Sequence, residues 1–390
     1  MTTESHPHDK AKARKHKLIG FASICLIIFL IYFIHWYLVQ QFYEITDDAY
    51  VNGNLVQVMP KISGHVNLIL ADETQLVKKG QPIIVLDKTD AEIAFKDAAS
   101  KLALTARQVS NLYQNVDQLR ANLKVEQDAL FKATNDYKRR QGLVVNKVIS
   151  EEDLQHAKIA AESAESAYEL AKNQLASAVS LVINTDLYHH PTILQAGNEF
   201  RNAYLTLQRT TIYAPETGYI AKRSVQVGQQ VSPNTVLMVI VPLNQLWVNA
   251  NYKESQLKHF RINQPASMAS DLYGDDVVYH GKVVGLSPGT GSVFDLLPPQ
   301  NATGNWIKIT QRLPVRIQLD AKELIKHPLR IGLSMVVTVD THNRTGAMLT
   351  ALPKEEIIYE TKNYGDQLKK ADEMIEKILE ANAPNIHYSP

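Results

Sequence analysis

A seven-residue repeat of apolar side chains between residues 90 and 209 constrains the fold of this chain more than any other feature. Its first run keeps a strict heptad interval: Phe95, Leu102, Val109, Val116, Leu123, Leu130, Tyr137 and Val144. The positions three residues further on are mostly apolar, with Glu126 and Arg140 as polar exceptions: Ala98, Thr105, Leu112, Leu119 and Ala133. A heptad kept over this many turns predicts a coiled coil.

The repeat fails at residues 146–150 and then restarts. The second run has Leu154, Ala161, Tyr168, Leu175 and Val182 in one seam and Ala157, Ala164, Ala171 and Ala178 in the other. A seam of small side chains lets two helices pack closely, and the short link predicts an antiparallel hairpin. Arms of about 50 residues make a rod roughly 75 Å long. The alternative, a parallel dimer zipper, is disfavoured because the break lets the chain fold back on itself.

Composition narrows the remaining classes of protein. At 390 residues the chain is long enough for several domains. The formal net charge is +1, which argues against nucleic-acid binding because nucleic-acid-binding domains carry a clear basic excess. The single cysteine, Cys25, excludes an intrachain disulfide and a cysteine-rich metal site.

The N-terminal region predicts a membrane anchor. Residues 1–17 form a short basic tail, and residues 18–39 are almost wholly apolar, about the ~20 residues that a transmembrane helix needs. The basic flank predicts a cytoplasmic N-terminus, with everything after the anchor on the other side of the membrane. The alternative is a cleaved signal peptide. The apolar run is too long for that, and no small-residue cleavage site follows it.

Two short β-rich stretches flank the predicted hairpin, at residues 40–89 and 210–242. They share a repeated sequence motif, since Val77–Gln81 matches Val225–Gln229. Each copy places a glycine where a tight turn requires positive φ. Neither stretch is long enough to bury a good core alone. Because the hairpin brings its two ends together, we expect both halves to form one small β-domain at its base.

The C-terminal part predicts a second β-domain and a tail. Residues 243–340 contain strand-like runs separated by glycine and proline, which suggests a small antiparallel barrel. Residues 341–390 form a tail in which Tyr364–Ala381 could be an amphipathic helix. The apolar residues expected on one side of that helix are Leu368, Met374, Ile375, Ile378 and Leu379. The predicted fold class is therefore multidomain α+β.

The two halves of the first β-domain resemble a split lipoyl/biotinyl domain. In carrier domains of that fold the joining turn bears a modified lysine, and the corresponding residue here is Lys88, at the foot of the inserted hairpin. A swinging-arm lysine needs a free exposed turn, so a carrier function is disfavoured. A split lipoyl-like domain behind a membrane anchor resembles the membrane fusion proteins of the HlyD/EmrA family, also called periplasmic adaptors.

Further runs make the chain similar to the EmrA-type adaptors of multidrug efflux. They are Asp271–Val277, Gly285–Gly291, Leu297–Lys308 and Arg312–Ile317. The resemblance implies a non-enzymatic inner-membrane protein without a cofactor that forms homo-oligomers. It implies two partners, an EmrB-type major-facilitator antiporter and a TolC-type outer-membrane channel. The alternatives are an adaptor of a protein-secretion system, a membrane-anchored carrier protein and a plain structural spacer.

The hairpin tip is where the resemblance implies a binding site. Adaptors that meet TolC-type channels carry an arginine, a leucine four residues later and a serine seven residues after that. Arg139, Leu143 and Ser150 have this spacing. Ser150 also reads as a helix N-cap, since three acidic residues follow it, and the two roles are compatible.

Other candidate sites are weaker. Residues 285–289 fit the nucleophile-elbow pattern G-x-S-x-G, but Pro288 lacks the backbone N–H that the oxyanion hole requires. The adjacent pair His189 and His190 lacks a carboxylate or cysteine at ligand spacing, so it predicts a break in the second arm before Pro191. Possible substrate contacts are the aromatic residues Trp247, Tyr252, Tyr273 and Trp306, although such residues are more often part of a core.

Overall fold

The structure, a computed structural model, describes residues 7–38, 40–145, 148–293, 310–350 and 367–383. The helices are α1 (Pro7–Leu38), α2 (Thr89–Val145), α3 (Glu151–Ser180), α4 (Pro191–Arg209), α5 (Ala321–Lys326) and α6 (Lys369–Asn382). The strands are β1 (Tyr43–Asn52), β2 (Val56–Val58), β3 (Gly64–Ile69), β4 (Leu76–Val77), β5 (Pro82–Leu86), β6 (Thr211–Tyr213), β7 (Gly218–Arg223), β8 (Gln230–Val231), β9 (Met238–Val241), β10 (Trp247–Lys253), β11 (Pro265–Ser270), β12 (Gly274–Leu286), β13 (Arg312–Leu319) and β14 (Ser334–Asp340). Short 3-10 helices lie at Gln40–Phe42, Glu254–His259 and Gly291–Val293.

The apolar segment forms one helix long and apolar enough to cross a membrane. The candidate span covers Lys17–Phe42 at a mean hydropathy of 2.5, and none of it is buried against the rest of the protein. A helix that is apolar all round and covered by no protein surface is typical of a segment surrounded by lipid.

Six strands close into a barrel in the order β1-β10-β13-β12-β11-β14. The barrel confirms the predicted antiparallel β-domain, but it also contains β1, which the sequence prediction placed in the lipoyl-like stretch 40–89. β1 pairs with β10 through Ala49 opposite Ala250 and with β14 through Tyr43 opposite Asp340. Its inward side chains, Ala49 and Val51, are fully buried in the barrel core. Without β1 the barrel would have an open edge between β10 and β14.

Two four-stranded sheets form the lipoyl-like domain. One has the order β2-β9-β7-β4 and the other β6-β5-β3-β8. The strands β2, β3, β4 and β5 of the first half correspond to β6, β7, β8 and β9 of the second. Exchanging each strand for its counterpart converts one sheet order into the other, so the two halves are related by a pseudo-two-fold axis. Each half contributes strands to both sheets, and the shared core includes Val66, Ile84, Ile220 and Ile240. Neither half therefore has a complete core without the other.

The repeated sequence motif forms the same turn in both halves. Gly80 and Gly228 have φ angles of 80° and 82°, in the left-handed region that glycine adopts at little cost. In each turn a glutamine side-chain oxygen accepts a backbone N–H three residues back: Gln81 from Lys78, and Gln229 from Gln226, both at 3.0 Å. The predicted positive φ at both glycines is confirmed.

The inserted segment is an antiparallel helical hairpin, as predicted. α2 has 57 residues, which makes it about 85 Å long. Its heptad residues Leu102, Val109 and Val116 are buried, and they face a return arm whose seam contains the buried alanines Ala171 and Ala178. Nearer the tip, α2 faces α3 alone, and its seam residues are only half-buried.

The return arm is interrupted where the sequence predicted a break. α3 ends at Ser180 and α4 begins at Pro191, which occupies the first helical turn. His190 precedes it as the N-cap, and its ring nitrogens lie 2.8 Å from Thr192 Oγ1 and 3.2 Å from the Leu181 carbonyl oxygen. His190 is therefore a buried structural residue.

The C-terminal helix α6 packs against α2 and α4 at the foot of the hairpin. Ala371, Ile375 and Leu379 are buried there. Arg201 Nε lies 2.7 Å from Asp372 Oδ1, and Arg107 Nε donates to Asn382 Oδ1 at 3.0 Å. The expected apolar side was partly wrong: Leu368 and Met374 are exposed at 41% and 42%, because Ala371 lies on the contact face instead.

We expect Leu379→Ala to loosen the foot of the hairpin. Leu379 is 2% exposed, and deleting a buried leucine side chain costs about 2–5 kcal/mol. Hydrogen exchange of the full-length protein, followed by mass spectrometry, should become faster in α2 between Leu102 and Tyr113 and stay unchanged in the barrel. Met374→Ala is the matched control. Wild-type protection of α2 in the Leu379→Ala protein would contradict the packing role of α6.

Candidate functional site

The three predicted tip residues lie at the same end of the hairpin. Arg139 and Leu143 are in the last two turns of α2, and Ser150 immediately precedes α3. The link between the helices includes Val148 and Ile149, while residues 146–147 lie outside the described residues. The structure thus brings Arg139, Leu143 and Ser150 to the end of the rod that is remote from the lipoyl-like domain.

Ser150 caps α3, as its sequence context indicates. Its Oγ accepts the backbone N–H of Asp153 at 3.0 Å and donates to Asp153 Oδ2 at 2.7 Å. The hydrogen bond from the Ser150 hydroxyl, followed by one from the Ser150 backbone, holds the pKa of the Asp153 carboxyl below its usual range. The cap and the acidic first turn place negative charge at the positive end of the helix dipole.

Arg139 presents its positive charge to solvent. Its side chain is 74% exposed and contacts Asp136 one turn earlier on α2. The other oxygen of Asp136 lies 2.8 Å from Arg140 Nε. The hydrogen bond from Arg139, reinforced by the charges of both arginines, keeps the pKa of Asp136 below its usual range. One carboxylate therefore faces two guanidinium groups, so this turn of α2 carries a net positive charge.

Sequence reasoning missed several features of this end of the rod. Asp136 was not singled out, although its spacing of three and four residues from Arg139 and Arg140 predicts contact on a helix. Two apolar side chains are also open to solvent, Phe131 at 70% and Val148 at 64%. Phe131 was detectable as an aromatic residue off the heptad seam. The distal end of the hairpin thus combines exposed apolar surface with charges of both signs, arginines on α2 and acidic side chains in the first turn of α3.

The aromatic candidates for substrate contact fall into different environments. Tyr252 is fully buried in the barrel core, where its hydroxyl donates to the Val337 carbonyl oxygen at 3.3 Å and burial raises its pKa. It offers no surface to a ligand in this structure. Trp247 is half-buried, with the Arg316 guanidinium 3.8 Å from its ring centre. Tyr273 is half-buried, and its hydroxyl donates to the Pro328 carbonyl oxygen at 2.9 Å. Trp306 lies outside the described residues.

The structure also shows the surroundings of the residues considered for a carrier lysine, a nucleophile elbow and a metal site. Lys88 directly precedes α2, and its Nζ lies 2.9 Å from Glu92 Oε1, rather than on the free turn of a carrier domain. Ser287 follows β12, and its hydroxyl donates to the Gly289 carbonyl oxygen at 2.9 Å, as in a local turn. Within the described ranges, no group of three or more His, Cys, Asp or Glu side chains is arranged to hold a metal ion.

We expect Ser150→Ala to weaken the first turn of α3. Replacing a serine N-cap by alanine costs about 1 kcal/mol, because the Asp153 N–H loses its acceptor. Hydrogen exchange at the start of α3 should accelerate, while Ser150→Asp should keep the cap and near-normal protection. Ser163→Ala, an exposed change inside the same helix, is the control. Unchanged exchange in Ser150→Ala would show that the cap contributes nothing measurable.

Similarity to known proteins covers most of the chain, including the hairpin. The sequence profile of the family described as "EMRA, alpha-helical hairpin domain" matches residues 89–210. Over 350 residues the chain is 47% identical to the multidrug export protein EmrA of Escherichia coli (strain K12), covering 90% of each chain.

Two other relatives have similar coverage. The chain is 40% identical over 370 residues to the multidrug export protein EmrA of Haemophilus influenzae (strain ATCC 51907 / DSM 11121 / KW20 / Rd), covering 95% of each chain. It is 42% identical over 345 residues to the fatty acid resistance protein FarA of Neisseria gonorrhoeae, covering 87% of this chain and 85% of that protein. With these relatives matched over most of their length, the chain belongs to the EmrA-type membrane fusion proteins.

Proposed function

We propose that this chain is the periplasmic adaptor subunit of a tripartite multidrug efflux system. Family membership supports this role, since relatives that are 47% and 40% identical over 90% and 95% of this chain are named multidrug export proteins. The structural observation that supports this proposal is that α2 separates the foot of the hairpin from its tip. The lipoyl-like domain, the barrel and the apolar helix follow one another from the foot of the hairpin, and the exposed tip lies at the other end.

The chain's place in the membrane follows from its N-terminus. We place residues 1–17 in the cytoplasm, α1 in the inner membrane, and everything after it in the periplasm. The basic residues before the apolar span support this orientation, because positively charged flanks stay on the cytoplasmic side. A rod of about 85 Å can then project away from the membrane surface.

A reporter fusion tests this topology. Alkaline phosphatase, which is active only outside the cytoplasm, should be active when fused after Val241 and inactive when fused after Lys17. Both fusions should be produced at similar levels, as checked by immunoblotting. An inactive Val241 fusion, produced at a normal level, would place residue 241 in the cytoplasm and overturn the orientation and most of the proposed function.

The proposed partners stand at the two ends of the molecule. At the membrane we propose an EmrB-type major-facilitator antiporter, which supplies the energy for export while this chain catalyses no reaction. At the tip we propose a TolC-type outer-membrane channel. Several copies of the chain around one axis would complete a conduit between them. We retain half-buried Trp247 and Tyr273 as aromatic candidates for contact with exported compounds.

The chemistry of the tip supports its role in docking. Arg139 can donate paired hydrogen bonds to backbone carbonyls or carboxylates of a channel, and Leu143 supplies an apolar contact. The exposed side chains of Phe131 and Val148 add apolar area around this positive charge. Ser150 contributes through its cap, because the cap holds the start of α3 in place.

We expect Arg139→Asp and Leu143→Asp to abolish drug resistance while leaving the protein folded. Loss of one charge-assisted hydrogen bond costs roughly 1.5–3 kcal/mol, which corresponds to about tenfold or more in affinity. Arg139 is exposed and Leu143 is half-buried at the end of the rod, away from the buried cores, so expression of both variants should remain normal. The measurements are drug resistance in cells and cross-linking of the adaptor to its channel.

Arg120→Asp is the matched control for Arg139→Asp. Arg120 is on the same helix, its side chain is 54% exposed, and it pairs with Asp117 three residues earlier, as Arg139 does with Asp136. Val125→Asp, at a position 64% exposed, is the control for Leu143→Asp. If both tip variants retain resistance and cross-linking, the tip is not the docking site and a plain spacer becomes the better description.

A further inference from the structure

One end of the barrel, here called the α1 rim, adjoins the apolar span. β1 begins there directly after the span, which ends at Phe42, and Tyr43 pairs with Asp340 at the end of β14. The link between β10 and β11, residues 254–264, belongs to the same rim, because Ala266 near the start of β11 pairs with Val339.

The length of the span places the α1 rim at the level of the lipid headgroups. A helical span of 26 residues is about 39 Å long, whereas the hydrocarbon core of a bilayer is about 30 Å thick. Trp36 and Tyr37 are exposed shortly before Phe42, and such rings favour the headgroup region. The side chains that contact Phe42 therefore lie at the membrane surface.

The segment after β14 packs on Phe42. The backbone N–H and the hydroxyl of Thr341 both donate to the Phe42 carbonyl oxygen at 2.8 Å. His342 stacks on the Phe42 ring with 4.2 Å between ring centres, and the Arg344 guanidinium lies 5.2 Å from the centre of the same ring. Arg344 is exposed, so its charge is open to solvent at the depth of the headgroups.

Two further cations stand beside Arg344, and we call Lys258, Arg261 and Arg344 the basic patch. Gly346 brings the two segments together, since a Cβ there would lie 3.0 Å from the Arg261 Cβ. Burial, followed by the charges of Arg344, Lys258 and Arg261, lowers the pKa of His259. The chain therefore concentrates like charges at one point of the α1 rim.

No carboxylate pairs with the basic patch within the described part of the chain. Arg261 Nη1 donates to the Phe260 carbonyl oxygen at 2.6 Å, and Arg344 Nε donates to the Thr341 carbonyl oxygen at 3.3 Å. The nearby carboxylate of Asp340 contacts His342 Nδ1 instead. Bonds to neutral backbone oxygens leave the positive charge available to an anion.

The segment that carries Arg344 also exposes apolar side chains. Met348 and Leu349 are 48% and 79% exposed. The Ala347 carbonyl oxygen accepts the Ile262 N–H at 2.9 Å, which holds this part of the segment on the α1 rim. Cations beside exposed apolar side chains are typical of surfaces that lie in a membrane interface.

We propose that the basic patch binds the headgroups of anionic phospholipids. The headgroup phosphate accepts hydrogen bonds from Arg344 and Arg261 beside the Lys258 ammonium, and Met348 and Leu349 contact the apolar part of the interface. A single helix leaves the barrel free to tilt, and this second contact with the bilayer limits the tilt. The inference needs only that α1 crosses a membrane, and it depends neither on drug export nor on which side of the membrane holds the barrel.

A photo-cross-linker in place of Tyr43 identifies the lipids at the α1 rim. Tyr43 is 40% exposed and its ring stands edge-on to His342, so benzoylphenylalanine fits the position. Full-length protein is placed in nanodiscs with equal amounts of phosphatidylglycerol and phosphatidylcholine, and mass spectrometry counts the lipid adducts. We expect phosphatidylglycerol adducts to be at least about fivefold more abundant, since one cation at an anionic surface contributes about that factor.

Variants locate the contact. Lys258→Glu and Arg344→Glu should each lower the adduct ratio about fivefold, whereas Arg344→Lys, which keeps the charge, should stay within about twofold of wild type. Lys326→Glu is the matched control, because Lys326 is also an exposed lysine in the last turn of a short helix. That helix, α5, follows β13, which begins opposite Lys253 at the α1 rim and ends at the other rim.

Other sources of negative charge give different results. Excess glycerol 3-phosphate at constant ionic strength should leave the adduct ratio unchanged, and loss of the enrichment would indicate a site for soluble anions and overturn the proposal. An adduct ratio near one in wild type, or a wild-type ratio in both charge-reversal variants, would also overturn it and favour an acidic surface of a partner protein. Arg139→Asp protein should give the wild-type ratio, whatever its resistance phenotype.

Discussion

The packing of α2 against the return arm of the hairpin sets the arrangement of the other domains. Large side chains on α2 face alanines on α3, so the two helices can lie close together and run antiparallel over their shared length. Antiparallel pairing returns the chain at Thr211 to the place it left at Leu86. Backbone hydrogen bonds then join β5 to β6 directly, with Ile84 opposite Ile212. The same pairing that builds the rod therefore closes the lipoyl-like domain at its foot.

The pseudo-two-fold of the lipoyl-like domain explains both its stability and its open sides. Each half supplies strands to both sheets, so the core forms only when the halves meet. β2 and β6 occupy equivalent edges, and each is three residues long. Short edge strands limit unwanted strand pairing. They also leave space beside the end of α4, where a cavity of about 640 Å³ is lined by both strands.

The number of packed helices and the burial of the heptad seam both decrease from the foot of the hairpin to its tip. At the foot, α6 adds a third layer over α2 and α4, and the heptad residues there are buried. Towards the tip only two helices remain, so the seam is partly exposed and charged side chains form pairs along one helix, such as Asp136 with Arg139. Exposed pairs of this kind contribute little to stability. The tip can therefore carry residues selected for contact with a partner, while the foot holds the fold together.

Local patterns in the sequence determined the parts of the structure that depend on local physics. The heptad repeat predicts the hairpin, the apolar run predicts a membrane-spanning helix, and Gly80 and Gly228 predict matching turns, because each signal is a property of neighbouring residues. Tertiary structure decided what depends on distant partners. β1 joins the barrel because Ala49 pairs with Ala250, and α6 turns Ala371 inward because α2 and α4 offer it a surface. The cavity likewise exists only where β2, β6 and α4 meet, and no periodicity within a single segment encodes contacts between strands so far apart in the chain.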